Sequence, residues 1–402
     1  MIGMIRKQLG IIACTGFCTT VVAAEDWTAW RGPGHNGAVM KREAPAEFSP
    51  SKNLRWKVEL PGRGCSTPIV VDGKVVITSP VGKEDGVLAF NMKGEELWRR
   101  TLGPLKPGRG QRVGSAANSS PVTDGERVFA YFKSGNFAAM DLSGEVLWKT
   151  NIFERFGENK LWWDVGTSPV IAGDLVVLAV MQTEGDSYLV AFDRKTGELA
   201  WKVDREYDVA VESGDAYTTP LVLEIDGMSQ LVTWGADHLT GHAVKDGKLL
   251  WTCGGFNPKK EKMWRVIASA VATDGVVVVP YARGDKIAGV KLGGKGDITD
   301  SAFLWKASFG SDAATPVAFD KQVIVLSDSG KDRGTVKCYD IHSGKEKWST
   351  RLPRGAQIYY ASPVVAGGRF YCGREDGVMF SAKITPNGLE DIRESELGEN
   401  LS

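Results

Sequence analysis

The segment Ala191-Phe192-Asp193-Arg194-Lys195-Thr196-Gly197-Glu198-Leu199-Ala200-Trp201 decides the fold of this chain, because shorter versions of it recur. An apolar stretch, a polar turn and a tryptophan appear again at 89–98, 139–148, 243–251 and 338–348. Repetition of one phrase at a period of about fifty residues indicates a repeat architecture.

A second phrase lies between these copies: a small polar pair, a proline and then β-branched residues. Its prolines are Pro68, Pro121, Pro169, Pro220, Pro316 and Pro363. In Ala268-Ser269-Ala270-Val271, an alanine takes the place of the proline that is missing from the doubled interval between 220 and 316. Seven repeats of about fifty residues therefore run from Ser66 to about Asn400.

Each repeat is predicted to form four short strands. In the second repeat these are 120–123, 127–132, 136–141 and 146–150, with turns at Asp124-Gly125 and Ser143-Gly144. Four strands in a period of about fifty residues predict an all-β fold, a β-propeller of four-stranded blades. A stacked solenoid is the alternative, but its units are shorter or contain helices, and the chain has no amphipathic helical stretch longer than two turns.

The predicted ring of blades is incomplete. Residues 54–60, Leu-Arg-Trp-Lys-Val-Glu-Leu, match the fourth, tryptophan-bearing strand of a blade, yet no three strands precede them. The last repeat has its own fourth strand at about 391–397. We therefore expect seven full blades plus an incomplete eighth, truncated at Ser402, with an open seam and an unpaired edge beside 54–60. The predicted domains are a signal peptide over 1–24, an N-terminal extension over 25–53 and the propeller over 54–402.

The repeat resembles the pyrroloquinoline-quinone-type propeller family, and 191–201 carries its tryptophan-docking motif, A-x-D-x-x-T-G-x-x-x-W, at every defined position. Residues 27–33 and 292–299 look like segments of secreted bacterial members of that family. A tryptophan offers a large flat surface for packing against a neighbouring blade. The resemblance implies structural pegs between blades at Trp56, Trp98, Trp148, Trp201, Trp251, Trp305 and Trp348.

The N-terminus predicts export. Arg6 and Lys7 precede an apolar stretch from Leu9 to Val22 and then Ala23-Ala24, which is typical of a secretory signal peptide. A lipobox ending at Cys14 is the alternative, and it would anchor the protein to a membrane as a lipoprotein. We expect a secreted or periplasmic monomer without a transmembrane segment. The chain has 49 basic and 49 acidic residues, a balance that argues against a nucleic-acid partner.

Cysteine and histidine spacing gives no metal or hydrolase motif. Beyond the leader lie Cys65, Cys253, Cys338 and Cys372, of which Cys338 and Cys372 could pair between neighbouring blades or remain small buried residues. His238-x-x-x-His242 has the spacing of a helical zinc pair, but it falls in a predicted hairpin, where the two side chains do not converge.

The loops between blades are where a propeller concentrates function, because they meet at one mouth of the central channel. Their polar and aromatic side chains predict a ligand site or a protein contact. An aspartate in such a loop can also simply cap a turn. The candidate site residues are Arg63, Asn118, Trp163, Asp164, Asp215, Tyr217, Arg265, Asp312 and Tyr359.

Two functions follow from the resemblance. One is a quinoprotein dehydrogenase that oxidises alcohols or sugars with pyrroloquinoline quinone and calcium, in which Asn118, Asp164, Arg265 and Asp312 would serve the cofactors. The adjacent cysteines of its alcohol-oxidising subclass are absent from this sequence. The other, which we favour, is a BamB-like scaffold with no cofactor and no catalysis, which binds envelope proteins or a small polar ligand.

Overall fold

The computed structural model describes residues 26–41, 44–109 and 114–401, and most of its regular structure is β-strand. Seven sheets, each built on four antiparallel strands, follow one another along the described chain. This confirms the all-β prediction and agrees with a β-propeller. The predicted signal peptide over 1–24, with its candidate lipobox cysteine, lies outside the described residues.

The first three sheets have regular four-stranded order. Strand β1 (Ala38–Val39) precedes them in the chain. Sheet 1 consists of β2 (Ile69–Val71), β3 (Lys74–Val81), β4 (Glu84–Asn91) and β5 (Glu96–Pro104). Sheet 2 consists of β6 (Val122–Thr123), β7 (Arg127–Tyr131), β8 (Asn136–Asp141) and β9 (Val146–Asn151). Sheet 3 consists of β10 (Val170–Ala172), β11 (Leu175–Val180), β12 (Tyr188–Asp193) and β13 (Leu199–Asp204).

Sheets 4 and 7 each gain a short parallel fifth strand. Sheet 4 consists of β14 (Leu221–Ile225), β15 (Met228–Gly235), β16 (His238–Ala243) and β17 (Leu249–Cys253). Sheet 5 consists of β18 (Val271–Thr273), β19 (Val276–Tyr281), β20 (Lys286–Lys291) and β22 (Phe303–Ala307). Strand β21 (Gly296–Asp297) leaves sheet 5 and pairs with β17 of sheet 4.

Sheet 6 consists of β23 (Val317–Phe319), β24 (Gln322–Leu326), β25 (Thr335–Asp340) and β26 (Glu346–Arg351). Sheet 7 consists of β27 (Val364–Ala366), β28 (Arg369–Gly373), β29 (Val378–Thr385) and β30 (Gly388–Glu396), and β1 joins it beside β27. The helical elements are α1 (Ile152–Phe156), α2 (Thr299–Ala302) and the 3-10 turns Val211–Gly214 and Ala282–Gly284.

The hydrophobic cores lie between consecutive sheets. Successive side chains of a strand point to opposite faces of its sheet, so each sheet contributes to two cores. Val128 of β7 packs in a core shared with sheet 1, whereas its neighbour Phe129 packs in a core shared with sheet 3. This two-sided burial explains why the inner strands are continuous apolar runs.

The residue before each proline of the second phrase links its sheet to the preceding one. Its hydroxyl accepts a hydrogen bond from the backbone N–H of the equivalent residue one repeat earlier, and the distances from nitrogen to oxygen are 2.9–3.0 Å. The bonds form a series in which each residue donates to the next one, in the order Thr67, Ser120, Ser168, Thr219, Ser269, Thr315 and Ser362. Ser269 keeps the bond although Ala270 replaces the proline, so the hydroxyl is what the linkage requires.

The N-terminal residues 27–39 tie together sheets from both ends of this series, and we call them the strap. Trp27 exchanges two backbone hydrogen bonds of 2.9 Å with Val70 of sheet 1. The backbone carbonyl of Gly37 accepts from Val365 of sheet 7 at 2.9 Å, next to β1. Among the described residues, the backbone N–H of Ser362 does not donate to the hydroxyl of Thr67, so the series does not return to its start. The strap therefore bridges the position where the series of six bonds stops.

The predicted strand over 54–60 does not form. These residues carry no strand and belong to none of the seven sheets, sheet 7 included, because no described strand lies alongside to share backbone hydrogen bonds with them. The peg on this segment is nevertheless in place, since the indole nitrogen of Trp56 donates to Met92 O of sheet 1 at 3.0 Å. The incomplete eighth blade stays a prediction.

Five of the seven predicted tryptophan pegs dock on the next sheet. Their indole N–H groups donate to a carbonyl in the turn between its third and fourth strands, at 2.8–3.2 Å. Each ring lies so close to the glycine of that turn that a Cβ there would be 2.4–2.8 Å from it. The five are Trp56, Trp98, Trp148, Trp201 and Trp305.

The other two predicted pegs lie in cores shared with the next sheet but do not dock on its turn: Trp251 packs with residues of sheet 5 and Trp348 with residues of sheet 7. The indole of Trp251 donates to Gln230 Oε1 within its own sheet, because β21 occupies the place where sheet 5 would otherwise present its turn. The indole nitrogen of Trp348 makes no hydrogen bond to the described residues, since the turn between β29 and β30 lacks the docking sequence. Within 292–299, interpreted as a variant blade segment, only Gly296–Asp297 forms a strand, and it pairs with sheet 4.

Ser269→Ala is expected to destabilise the fold, because it leaves the Thr219 N–H, now hydrogen-bonded at 3.0 Å, without its acceptor. Orphaning a buried donor costs about 1–3 kcal/mol. Ser269→Thr is the matched control, since threonine serves at equivalent positions. Urea unfolding should show a lower midpoint for the alanine variant alone. Equal losses in both variants would refute the role of the hydroxyl.

Gly344→Ala is expected to destabilise more than Gly275→Ala. Both glycines have positive φ, 65° and 75°, so both alanines carry a strain of about 1–2 kcal/mol. Only at Gly344 would the new Cβ also lie 2.4 Å from Cγ of Trp305, whereas nothing lies within 4 Å at Gly275. Thermal unfolding of the two variants measures the difference, and a larger loss at Gly275 would contradict peg docking.

Candidate functional site

One end of the channel opens into a cavity of about 380 Å³. The loops between sheets reach this end, and they bring together side chains that are distant in sequence. Six of the nine candidate residues line the cavity: Asn118, Trp163, Asp164, Tyr217, Arg265 and Asp312. Ile267, Ile358 and Tyr360 add apolar and aromatic surface. The cavity has the mixed lining of a ligand or protein contact.

Three candidates do not line the cavity. Arg63 is exposed. Asp215 is buried, and its carboxylate accepts from the backbone N–H of Thr183 at 2.7 Å and of Trp162 at 3.3 Å, so it holds loops together as a turn-capping aspartate does. Tyr359 packs in the core between sheets 6 and 7, and its neighbour Tyr360 lines the cavity instead.

Arg265 and Asp312 form a buried ion pair across the loops that lead into sheets 5 and 6. Arg265 Nη1 and Nη2 lie 3.2 Å from Asp312 Oδ1 and Oδ2, in the paired geometry that favours arginine over lysine. Burial raises the pKa of the Asp312 carboxyl, and the guanidinium opposes that shift. Arg265 Nε is also 3.6 Å from Glu212 Oε1. The guanidinium thus sits between two carboxylates.

Asp328 was missed by the sequence analysis and shapes the same wall. Its carboxylate accepts from the backbone N–H groups of Asp312, Ala313 and Ala314, at 3.1, 2.5 and 3.1 Å. Ser329 Oγ donates to it at 3.1 Å. These bonds hold the loop that carries the ion pair, so Asp328 is a positioning residue.

Lys133 was also missed, and it neutralises Asp164. Its ammonium contacts Asp164 Oδ1, and the backbone N–H of Arg109 lies 3.2 Å from both carboxylate oxygens. Lys133 and Asp328 lie between the second and third strands of their sheets. In an up-and-down sheet that turn is at the same end as the loops between sheets. Counting the strands within each repeat would therefore have placed both residues at the mouth.

Tyr217 and Trp163 join the loops that lead into sheets 3 and 4. The backbone N–H of Trp163 donates to the Tyr217 hydroxyl at 3.1 Å. Burial raises the pKa of the Tyr217 phenol above its ordinary value, so the hydroxyl stays neutral at physiological pH. The indole of Trp163 remains 37% exposed beside the cavity.

Large apolar side chains surround part of the mouth, and we call Trp162, Trp163, Val211 and Met263 the apolar rim. Trp162, Val211 and Met263 are 58%, 58% and 54% exposed. Their loops are joined by hydrogen bonds, because Asp215 binds Trp162 N–H and the backbone N–H of Glu212 donates to Lys262 O at 2.9 Å. Exposed aromatic and sulfur-containing side chains next to a groove are typical of contact surfaces.

Val211 adds backbone strain to the rim. Its φ is 25°, a conformation that β-branched residues rarely adopt and that costs of order 1–3 kcal/mol. Thr183 Oγ1 donates to its carbonyl at 2.7 Å, which helps hold the strained turn in place. Such strain is concentrated where a fold presents residues for a task.

The cysteines and histidines of the described residues bear on the disulfide and metal alternatives. Cys253, Cys338 and Cys372 are free thiols, so Cys338 and Cys372 do not pair. Burial lowers the pKa of His242 to about 4, so this histidine is a neutral core residue in β16. Within 26–41, 44–109 and 114–401, no group of three or more His, Cys, Asp and Glu side chains is arranged to hold a metal ion. All helices of that part of the chain are too short or too polar to span a bilayer.

Removing one partner of the ion pair is expected to lower the free energy of unfolding more than removing both partners. Arg265→Gln leaves a buried, unpaired Asp312 carboxylate and should cost about 3–5 kcal/mol, whereas Arg265→Gln/Asp312→Asn should cost less. The pKa of Asp312 is already raised and rises further without the guanidinium. A raised carboxyl pKa favours folding at low pH and loses that effect as pH rises, so the deficit of Arg265→Gln should grow with pH.

Urea unfolding of the single and double variants between pH 4 and 8 measures this coupling. Asp312→Asn alone completes the cycle. Additive costs that do not depend on pH would contradict a coupled pair.

Comparison with known proteins places the chain among BamB-like repeat proteins. Outer membrane protein assembly factor BamB of Moranella endobia (strain PCIT) is 23% identical over 261 residues, 58% of this chain and 61% of that protein. The chain therefore spans less than two thirds of the length of this relative.

Solved structures share the fold at low identity. A europium-containing methanol dehydrogenase has a TM-score of 0.68 at 13% identity, with 94% of this chain and 86% of that chain covered. Quinohemoprotein alcohol dehydrogenase from Comamonas testosteroni has a TM-score of 0.69 at 13% identity, with 94% and 74% covered. BamB from Moraxella catarrhalis has a TM-score of 0.51 at 17% identity, with 79% and 87% covered. The family model described as outer membrane protein assembly factor BamB matches 46–210, 177–300 and 295–385, and the chain belongs to this BamB-like family.

Proposed function

We propose that this protein is a non-catalytic scaffold that binds another polypeptide at the channel mouth. One observation carries the proposal: the charged groups of the mouth are bound to partners within the protein, while the apolar rim beside them is exposed. Binding by such a surface uses aromatic anchors rather than reactive groups.

The carboxylates of the mouth are poorly placed for acid–base work. Asp164 is neutralised by Lys133, Asp312 by Arg265, and Asp328 accepts three backbone N–H groups. A general base needs a free oxygen within hydrogen-bond reach of the substrate proton. These oxygens instead hold the loops in position, which suits a rigid docking platform.

The same donor set does not fit calcium and pyrroloquinoline quinone. Calcium takes six to eight oxygen ligands. Of the residues assigned to it by resemblance, Asp312 gives both oxygens to Arg265, and Asn118 Oδ1 accepts from Ser115 Oγ at 2.8 Å. A cation would have to displace these bonds. The donor set therefore supports no step through the quinone, and the dehydrogenase is the alternative that activity assays test.

The apolar rim offers anchors to a partner. Arg109 stacks its guanidinium 4.6 Å from the centre of the Trp162 ring, which holds the indole without covering it. The relative from Moranella endobia is named an outer membrane protein assembly factor. With the leader expected over 1–24, this supports a partner among assembly proteins of the cell envelope and a periplasmic or secreted location, with lipid anchoring at Cys14 as the alternative.

Trp162→Ala/Met263→Ala is expected to reduce partner binding at least tenfold, because truncating a central aromatic anchor typically costs 2 kcal/mol or more. Leu304→Ala is the matched control, since Leu304 is 42% exposed on the outer strand of sheet 5 and away from the rim. The measurement is capture of envelope proteins by immobilised protein, with the captured chain identified and its affinity then determined. Equal binding by all three proteins would refute the rim as the contact surface.

Catalysis is tested separately. The protein, mixed with pyrroloquinoline quinone and calcium, is expected to give no dye reduction with alcohols or sugars. Turnover that disappears in Asp164→Asn or Asp312→Asn would replace the scaffold proposal with the dehydrogenase.

A further inference from the structure

The deep end of the channel holds a second cavity of about 310 Å³. It shares Asn118, Tyr217 and Tyr360 with the mouth cavity, so the two are the inner and outer parts of one channel. The strap supplies its floor through Trp27, Trp30 and Arg31. We infer that this floor binds a small monocarboxylate through Arg31, a site separate from the apolar rim.

Arg31 is a buried cation that has no carboxylate partner among the described residues. It is 4% exposed, and burial lowers its pKa to about 9, so it remains protonated at neutral pH. Its Nη2 donates to Pro316 O at 2.9 Å, whereas Nε is buried with no acceptor and Nη1 makes no hydrogen bond to the described residues. A guanidinium carries five N–H donors, so most of its donor capacity is unused.

Two other buried arginines have more partners than Arg31, although Nε of Arg265 is also buried without a hydrogen-bond partner. Every nitrogen of Arg205 has a partner, including three backbone carbonyls at 2.8–3.3 Å from Nη2. Arg265 has the Asp312 carboxylate. Among the described residues, Arg31 has neither a carboxylate nor a set of carbonyls, and an unpaired buried charge is costly. Arg31 nevertheless lines the inner cavity, where a ligand could supply the missing acceptor.

The ring of hydroxyls makes the inner cavity rich in donors. The oxygens of Ser120, Ser168, Thr315 and Ser362 accept backbone N–H groups, and all four residues line this cavity. None of the four hydroxyls donates to an acceptor in 26–41, 44–109 or 114–401. Their hydrogens are therefore available to a guest, and the guest they favour is an acceptor such as an anion.

The charge balance and the shape select a monocarboxylate. Of the described residues that line the inner cavity, none is a carboxylate, so Arg31 contributes a single uncompensated positive charge there. Asp328, at the outer cavity, disfavours a dianion such as phosphate on the way in. A guanidinium matches a carboxylate in a planar, bidentate geometry. The volume corresponds to on the order of ten water molecules, and the indoles of Trp27 and Trp30 offer apolar contact to a short carbon tail.

Propionate and its uncharged isostere propionamide test the site on the unmodified protein. At constant ionic strength, set with sodium chloride, propionate is expected to raise the unfolding temperature saturably, and propionamide to leave it unchanged. Inorganic phosphate should bind at least tenfold more weakly than propionate. NMR should show contacts between the propionate methyl protons and the indole protons of Trp30, assigned with Trp30→Phe. Equal shifts with propionamide, tighter phosphate binding or absent indole contacts would overturn the inference.

Arg31→Gln and Arg31→Lys test the guanidinium itself. Both should lose at least tenfold in propionate affinity, because lysine keeps the charge but not the bidentate fork. Unchanged affinity in Arg31→Gln would refute the assignment. If that variant does not fold, the comparison of propionate with propionamide on the unmodified protein still tests whether the inner cavity binds a monocarboxylate. Capture of a polypeptide at the apolar rim should not change with propionate, so this site and the scaffold proposal can fail independently.

Discussion

The structure depends on a hydrogen bond between the backbone N–H of one repeat and a serine or threonine hydroxyl of the next. Six such bonds, from Thr67 to Ser362, set the spacing of the inner strands around the channel. Backbone donors buried near the channel need an acceptor, and the strands of neighbouring sheets are not paired with one another. The hydroxyl supplies that acceptor. Because it occurs in every repeat, the series of sheets is held at the inside by polar bonds and at the outside by tryptophans.

The outer contact is less uniform than the inner one. Five tryptophans pack on a glycine of the next sheet, and this close approach leaves no room for a Cβ. Between sheets 4 and 5 the contact is replaced by β21, which crosses from one sheet to the other. Where the series of hydroxyl bonds stops, the strap connects sheets 1 and 7 through backbone hydrogen bonds. The protein thus uses three different devices to join sheets, and each satisfies backbone or indole donors.

The channel separates two kinds of surface. At the mouth, the carboxylates bind Lys133, Arg265 and backbone N–H groups. They therefore hold the loops rigid and are not free to react. At the floor, Arg31 and the hydroxyls leave donors without acceptors. Members of one fold can therefore carry different functions, because the repeat specifies how sheets join and leaves the loops and the strap variable.

The sequence by itself determined the repeat, the all-β class and the end of the channel where six candidates, Asp164 and Arg265 among them, would meet. These follow from local patterns: strand periodicity, turn residues and the recurring tryptophan are short-range properties of the chain. Only the tertiary structure decided that Lys133 neutralises Asp164, that the Trp251 indole hydrogen-bonds within its own sheet and that Arg31 lies at the channel floor with no carboxylate among the described lining residues. Each of these depends on residues that lie far apart in the sequence, and a side chain's partner is set by which loops the arrangement of sheets brings together.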